Sequence, residues 1–498
     1  MNLKSIFSIF FILLISVKMV AQDNIFLSRD YWKANPSVVQ IKKDVAAGHD
    51  PAQLNKYAFD AVVYALLEKA NDPAVKYLLT LEGNDVEKRT HDSRTYIFWA
   101  AYKGNTNIMK HLFDKGAIID IKDSHGNTPV TFAAVTGQKN MEVYDLFEKQ
   151  GAVLTQEKNK DGVNALLLIA PYLEREKELS YFLGKGFGLD NQDPKGNNIF
   201  NYAARNGNQD FLEMLVEKGV APNKVNKEGG NAMLYASRGS RNRQNTLETY
   251  AFLESLEVEA NVVGDQGRNP LHEIAYRNED LDIYTYFIKK GVDVNLQDSD
   301  GASPFMNAAS SNDLKVVRFL SNYVNDIDLQ DKRGRSALGI ALRRNKVETV
   351  AFLIQKDADV QVKDTKGNSL VYYLLDTFKE KDPVAFEAKL KLLEVNGLSI
   401  KQLQNAGNTA LHLAAEKGDL ALLERLTSFD IDVNTKNDAG YTALHIAAMK
   451  SKNDAMLKFL MSKGADKTIK TEFEETVLEL ALENELLQKQ NVNLNFLQ

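Results

Sequence analysis

The stretch Gly407–Asp419 reads GNTALHLAAEKGD, and the stretch Gly440–Lys450 reads GYTALHIAAMK. In both, a threonine two residues after the glycine precedes a short apolar run that contains paired alanines. Threonine is a preferred N-cap residue because its hydroxyl accepts a hydrogen bond from an early backbone N–H group of a helix. Alanine has no side chain beyond Cβ, so paired alanines let two helices approach closely. The two stretches therefore predict short helices that pack tightly on similar neighbours.

The same pattern recurs along most of the chain. Each copy has an anchor glycine, then Thr, Ser or Asn two residues later, an apolar residue four residues later, and usually alanine seven or eight residues later. The anchor glycines are Gly126, Gly162, Gly196, Gly229, Gly267, Gly301, Gly334, Gly367, Gly407 and Gly440. Most successive anchors are 33 or 34 residues apart, and this spacing extends the pattern to Ser93 and Glu474. With a degenerate first copy near residues 60–83, the chain has 13 repeats.

A repeat of 33 residues with this motif resembles the ankyrin repeat. The sequence NPLHEIA at Asn269–Ala275 and the second-half sequence KGVDVNLQDSDG at Lys290–Gly301 carry the same resemblance. The resemblance implies an all-α ankyrin-repeat solenoid of about 13 helix-turn-helix units with hairpin loops, in which stacked units share one core. The copies at Gly162, Gly229 and Gly367 depart from the family pattern, and their helix lengths are left open.

Composition excludes several classes of function. The chain has 498 residues, a formal net charge of −6 and no cysteine. A negative net charge argues against nucleic-acid binding through bulk positive charge. The lack of cysteine excludes disulfides, thiolate metal sites and cysteine nucleophiles. With 44% hydrophobic and 26% charged residues, the chain has the composition of a folded protein.

Residues 1–22 have the anatomy of a secretory signal peptide. Lys4 precedes an apolar core from Ile6 to Val17, and Ala21 offers a small residue for cleavage. This core is shorter than the ~18–20 apolar residues that a membrane-spanning helix needs. We therefore predict a periplasmic or secreted protein, similar to exported ankyrin repeat proteins of bacterial type. An uncleaved membrane anchor is the alternative.

The rest of the chain divides into three predicted segments. Residues 23–55 are predicted to form an N-terminal helical cap that covers the apolar end of the first repeat, and a partner-recognition segment is the alternative. The array occupies residues 56–487, and residues 488–498 form a C-terminal tail. After the first segment, no apolar run is long enough to span a membrane.

Residues that often carry chemistry recur here with the repeat. His272, His412 and His445 share one motif position, where the resemblance implies hydrogen bonds that tie loops together. They are separated by whole repeats and do not converge on a metal. Aspartate also recurs three residues before the anchor glycine, as Asp123, Asp193, Asp298, Asp331 and Asp364. We therefore predict no catalytic, cofactor-binding or metal-binding residues and no enzymatic activity.

The resemblance implies a non-catalytic protein–protein interaction scaffold, a monomer that binds its partner on the concave face of the array. At the family's display positions, eight basic residues cluster around the Gly334 repeat. They are Arg268, Arg277, Lys332, Arg333, Arg335, Arg343, Arg344 and Lys366. Because guanidinium groups suit carboxylates, we predict that they bind an acidic protein segment or an anionic glycan. The alternatives are a charged surface that serves only solubility, and an accessory, inhibitor or effector that modulates a separate enzyme.

Overall fold

The computed structural model describes residues 23–240 and 243–498, so the predicted signal peptide lies outside the described residues. The described residues form 28 α-helices and no β-strand. The chain divides into two compact units, unit 1 ending at Pro194 and unit 2 beginning at Lys195. The predicted all-α ankyrin fold is confirmed.

The described residues of unit 1, from residue 23 onward, form ten helices. They are α1 (Arg29–Lys33), α2 (Val38–Ala46), α3 (Ala61–Leu67), α4 (Asp72–Leu78), α5 (Tyr96–Lys103), α6 (Thr106–Asp114), α7 (Pro129–Val135), α8 (Met141–Lys149), α9 (Ala165–Ile169) and α10 (Glu176–Gly184). From α3 onward the helices form pairs, in which an odd-numbered first helix is followed by an even-numbered second helix. Each pair corresponds to one predicted repeat.

Unit 2 continues the same pairing over its described residues. Its helices are α11 (Ile199–Ala204), α12 (Gln209–Glu217), α13 (Ala232–Arg238), α14 (Leu247–Ser255), α15 (Pro270–Ile274), α16 (Leu281–Lys289), α17 (Pro304–Ser311), α18 (Leu314–Leu320), α19 (Ala337–Arg344), α20 (Val347–Gln355), α21 (Leu370–Leu375), α22 (Val384–Val395), α23 (Ala410–Lys417), α24 (Leu420–Leu426), α25 (Ala443–Lys450), α26 (Ala455–Ser462), α27 (Val477–Glu483) and α28 (Glu485–Lys489). The described chain thus has 13 helix pairs, as the repeat count predicts.

The helix ends follow the sequence signals. The Thr409 side chain caps α23 by accepting from the backbone N–H group of His412, and Ser336 caps α19 in the same way. Removal of such a cap costs about 1 kcal/mol. Gly418 ends α23 in the left-handed conformation, with a φ of 66°. A side chain disfavours that conformation, which explains glycine at this position.

Alanines bring the first helices of adjacent repeats into contact. Helix α17 packs on α19, and α23 packs on α25. Ala308 and Ala341 in the first pair, and Ala414 and Ala447 in the second, are fully buried. The second helices supply larger apolar residues to the core, such as Leu457 in α26. Stacked first helices therefore form one continuous face within unit 2, which we call the first-helix face.

The recurring aspartates shape the hairpin loops that precede the first helices. Asp331 Oδ1 accepts hydrogen bonds from the backbone N–H groups of Arg333 and Arg335, both at 2.9 Å. Asp298 and Asp364 do the same in their own loops. Neighbouring loops are joined by a backbone bond, such as the one from Thr365 N–H to the Arg333 carbonyl at 3.0 Å. The carboxylates thus fix the turns and hold consecutive loops in register.

Buried side-chain donors link repeats of unit 2 to the repeat before. Asn312 donates to the carbonyls of Ala275 (2.7 Å) and Asn278 (2.9 Å) near the end of α15. Equivalent pairs of bonds come from Asn245, Asn345 and Asn484. In the repeat of α21 and α22, Lys389 takes this place and donates to two carbonyls at the end of α19, both at 2.7 Å. Carbonyls that α-helices leave unpaired are satisfied in this way.

Residues 23–55 pack on the first repeat. Phe26, Trp32 and Ile41 are fully buried, and the Trp32 indole N–H group donates to the Phe26 carbonyl at 2.8 Å. Helix α1 contacts α3, and α2 contacts α4. These contacts remove the apolar side of the first repeat from water. The boundaries assigned to this segment and to the C-terminal tail stay predictions.

Candidate functional site

A cavity of about 230 Å³ opens on the first-helix face of unit 2. It lies between α17, α19 and α21 and the hairpin loops that precede α15, α17 and α19. Its lining residues are Arg268, Tyr276, Asp298, Asp300, Ala302, Met306, Asn307, Ser310, Arg333, Arg335, Gly339, Ile340, Arg343, Arg344 and Tyr373. The lining contains five arginines and two aspartates. We call it the arginine cavity.

The structure brings together most of the basic residues that the sequence singles out. Arg268, Arg333, Arg335, Arg343 and Arg344 all line the arginine cavity. A neighbouring cavity of about 190 Å³ shares three of these arginines and adds Lys366. Arg277 and Lys332 are exposed and line neither of these two cavities. Six of the eight predicted residues therefore lie around one connected surface.

Three of the cavity arginines are paired with carboxylates. Arg268 Nε lies 3.2 Å from Asp298 Oδ2, and Arg343 Nε lies 2.8 Å from Asp376 Oδ2. Arg335 contacts Asp331 Oδ2 with two nitrogens, Nε at 2.7 Å and Nη2 at 2.6 Å. The carboxylate of Asp331 is buried, so this pair is screened less by solvent than the Arg343 pair, whose guanidinium is half exposed. These contacts hold the guanidinium groups in fixed positions.

The other two arginines have no carboxylate partner in the described part of the chain. Arg344 Nη1 donates only to the Ser310 hydroxyl, at 3.4 Å. The Arg333 side chain makes neither an ion pair nor a hydrogen bond with any described residue, and both arginines are exposed. Two guanidinium groups are therefore available to an anion that approaches from solvent.

Tyr373 forms one wall of the cavity and is held by Asp364. Its hydroxyl donates to Asp364 Oδ2 at 2.7 Å. Burial on its own would raise the pKa of Asp364, but hydrogen bonds from Asn368 and Tyr373 outweigh it and the pKa is lowered. Burial and the neighbouring carboxylate raise the pKa of Tyr373. Asp364 is thus a carboxylate and Tyr373 a neutral donor at neutral pH.

The motif histidines lie where the resemblance implies. His272 Nε2 bonds the Ala302 carbonyl at 3.1 Å, His412 the Tyr441 carbonyl at 2.9 Å, and His445 the Ile469 carbonyl at 3.0 Å. Each imidazole therefore joins its own first helix to the following hairpin loop, and the prediction of a loop-tying role is confirmed. In the described residues, no group of three or more His, Asp or Glu side chains is arranged to hold a metal ion.

Sequence reasoning missed several residues of the cavity. Tyr276 and Tyr373 form walls, yet they follow no charge pattern. Gly339 lines the cavity at the motif position that holds histidine in other repeats, and in the sequence it looks like a defect of the motif. The signal that could have found it is the coincidence of this glycine with the most basic repeat.

The family model for "Ankyrin repeats (3 copies)" matches residues 62–157, 240–331, 271–364 and 384–471. Together these matches cover more than half of the chain. The chain belongs to the ankyrin repeat family. Ankyrin repeats are generally protein–protein interaction modules, and proteins built from them are typically non-catalytic scaffolds. All residues that line the arginine cavity except Tyr373 lie within the matched ranges.

Two curated proteins match parts of this ankyrin array. An ankyrin repeat protein of fowlpox virus (strain NVSL) is 28% identical over 186 residues, which are 36% of this chain and 53% of the viral protein. A Caenorhabditis elegans homolog of the transient receptor potential cation channel subfamily A member 1 is 32% identical over 95 residues, which are 19% of this chain and 8% of the channel. The chain spans about half the length of the viral relative. Among the described residues, no helix has the length and apolar character required to cross a membrane.

Proposed function

We propose that this ankyrin repeat protein is a non-catalytic scaffold that binds an acidic segment of a protein partner at the arginine cavity. The proposal rests on Arg333 and Arg344, which line the cavity without a carboxylate partner among the described residues, on a chain whose net charge is −6. Local charge opposite to the sign of the whole protein points to a selective contact, because like charges on one surface repel unless a ligand compensates them. The three built-in arginine–aspartate pairs support carboxylates as that ligand.

Charge reversal of the two unpaired arginines tests this function. The double variant Arg333→Glu/Arg344→Glu is expected to lower recovery of the partner in affinity capture from a native extract roughly ten-fold or more. Because neither side chain has a carboxylate partner among the described residues, the melting temperature of the variant should stay close to that of the parent protein. Arg335 is unsuitable, since glutamate there would face the buried carboxylate of Asp331. Capture followed by quantitative mass spectrometry measures the effect.

A matched control makes the same change in net charge at two residues of unit 1, outside the arginine cavity. Lys149 and Lys177 are exposed on α8 and α10 in unit 1, so the variant Lys149→Glu/Lys177→Glu alters net charge by the same amount. It should capture as much partner as the parent. Equal losses in both double variants would mean that net charge, not the arginine cavity, governs capture.

If the captured protein is an enzyme whose turnover changes on binding, the scaffold acts as its modulator.

We also propose that the protein is exported and acts in the periplasm or outside the cell. Support comes from the N-terminal sequence, in which Lys4 and a short apolar core precede Ala21. Cleavage near Ala21 or Gln22 should yield a mature chain that lacks the first segment. Intact-mass analysis of protein isolated from native cells measures this directly. Retention of Met1 on protein that fractionates with the cytoplasm would contradict export.

A further inference from the structure

The repeat that carries the arginine cavity lacks a side chain at a position that others fill. Gly339 is the third residue of α19, where the corresponding residues in α15, α23 and α25 are the buried His272, His412 and His445. Glycine in a helix interior costs about 1 kcal/mol relative to alanine, so its presence here is not explained by helix stability. The lack of a side chain at Gly339 leaves room in the cavity, because Gly339 is one of its lining residues.

The space beside Gly339 is large enough for one methyl group. A β-carbon built on Gly339 would meet Leu370 Cδ2 at 3.4 Å, and the next atoms, in Ser336 and Tyr373, lie at 4.0 Å. These are ordinary van der Waals distances, so alanine fits without displacing its neighbours. The added methyl group would nevertheless occupy volume at the cavity wall that Gly339 forms. Gly339 therefore sets the depth of the cavity rather than the backbone conformation.

The size of the cavity favours a single side chain over a whole small molecule. Sites for small-molecule ligands usually occupy ~300–1,000 Å³, whereas this cavity has about 230 Å³. One acidic side chain that projects from a docked segment fits such a volume. Interfaces commonly concentrate their binding energy in one or a few such anchors that fill pockets on the partner.

The charges favour a carboxylate over a phosphate. Arg333 and Arg344 are the two cavity arginines without a carboxylate partner in the described ranges, and they lie on opposite sides of Gly339 in the sequence. Asp298 and Asp300 line the same cavity, and their charges repel a doubly charged phosphate more than a singly charged carboxylate. A carboxylate can accept from two guanidinium groups at once, which matches the two donors that remain.

We infer that the arginine cavity is a socket for one glutamate or aspartate side chain of the partner, received by Arg333 and Arg344, and that Gly339 is the residue that admits it. This inference rests on the proposed function and names the anchor of the same interaction. Neighbouring acidic residues of the partner lie over the second cavity, beside Lys366.

The test uses the full chain and a fluorescein-labelled peptide of six glutamates, with binding followed by fluorescence anisotropy. Gly339→Ala is expected to weaken peptide binding roughly three- to ten-fold, while its melting temperature equals or exceeds that of the parent because alanine is the better helix former. Gly184→Ala is the matched control: Gly184 is also a helical glycine, and a β-carbon there meets nothing within 4 Å. The control should bind as the parent does.

Other outcomes separate the socket from the wider proposal. If Gly339→Ala binds like the parent while Arg333→Gln/Arg344→Gln loses binding, the proposed binding of an acidic segment stands and the socket at Gly339 is overturned. If the parent protein binds no glutamate peptide even at low salt, the proposed function fails and the socket fails with it. If a peptide with one phosphoserine among glycines binds and the glutamate peptide does not, the carboxylate assignment is wrong.

Discussion

Lowering the pH from 7 to 4 is expected to destabilise unit 2 by about 3 kcal/mol through His272 alone. Burial lowers the pKa of this imidazole from 6.5 to about 4, which hydrogen bonding to Ala302 only partly offsets. Burial also lowers the pKa of His412 and of His445. His412 Nδ1 and His445 Nδ1 each accept a backbone N–H group, at 3.2 and 3.1 Å, which the protonated ring could not do.

The sign follows from proton binding in the two states. Between pH 6.5 and about 4, the unfolded chain takes up a proton on His272 that the folded chain does not. Stability is therefore complete above pH 6.5, falls as the pH drops through this window, and reaches its full loss below pH 4. The other two histidines act in the same direction and enlarge the effect.

Urea unfolding followed by far-UV circular dichroism at pH 7.5, 5.5 and 4 measures this loss. The variant His272→Gln should show a smaller decrease in the unfolding midpoint between pH 7.5 and 4 than the parent protein. His125→Gln removes an exposed imidazole in unit 1 and should keep the full decrease of unit 2. A parent protein whose midpoint is the same at all three pH values would contradict neutral, buried histidines.

Asn312→Ala is expected to destabilise unit 2 by about 1–3 kcal/mol. The Asn312 side chain is 4% exposed, and its Nδ2 donates to the carbonyls of Ala275 and Asn278. Without the amide, the Ala275 carbonyl loses its partner inside the array, and such an unsatisfied group costs about 1–3 kcal/mol. The Asn278 carbonyl keeps the Tyr284 hydroxyl as a donor, at 2.8 Å. The same bonds join the repeat of α17 and α18 to the preceding one, so the loss falls on an interface between repeats.

Asn396→Ala provides the control for this effect. Asn396 Nδ2 also donates to a backbone carbonyl, that of Leu392 at 2.7 Å, but the side chain is exposed and water can replace it. Its loss should cost less than about 0.5 kcal/mol. Thermal melts of both variants make the comparison, and similar melting temperatures would show that the buried amides are not what couples the repeats.

The repetitive part of the fold could be predicted from the sequence because its signals are local. An anchor glycine, a capping residue and paired alanines lie within a dozen residues, and they give the 13 helix pairs directly. The divergent repeat after Gly367 could not be resolved in this way. In its second helix, α22, Lys389 donates to the carbonyls of Leu342 and Asn345, whereas an asparagine makes the equivalent bonds in other repeats. Burial lowers the pKa of this lysine. The sequence around it reads EAKLKLLEV, in which nothing distinguishes Lys389 from the neighbouring Lys391.

The site was predicted in composition but not in geometry. The display positions identified the arginines, because a repeat of fixed length places equivalent residues side by side. They did not reveal that Arg268, Arg335 and Arg343 are held by carboxylates while Arg333 and Arg344 are not, since pairing depends on distances between loops. The role of Gly339 could not be predicted for a related reason, because the lack of a side chain matters only when the surrounding residues are known to form a cavity.

Hydrogen–deuterium exchange of the full chain, with and without its captured protein partner, locates the docking surface. We expect partner binding to slow amide exchange in residues 331–344 and 364–373, which contain loops and helices of the arginine cavity, and Arg333→Glu/Arg344→Glu to abolish this protection. Protection confined to unit 1 or to the second helices, with residues 331–344 unchanged, would contradict binding at the arginine cavity.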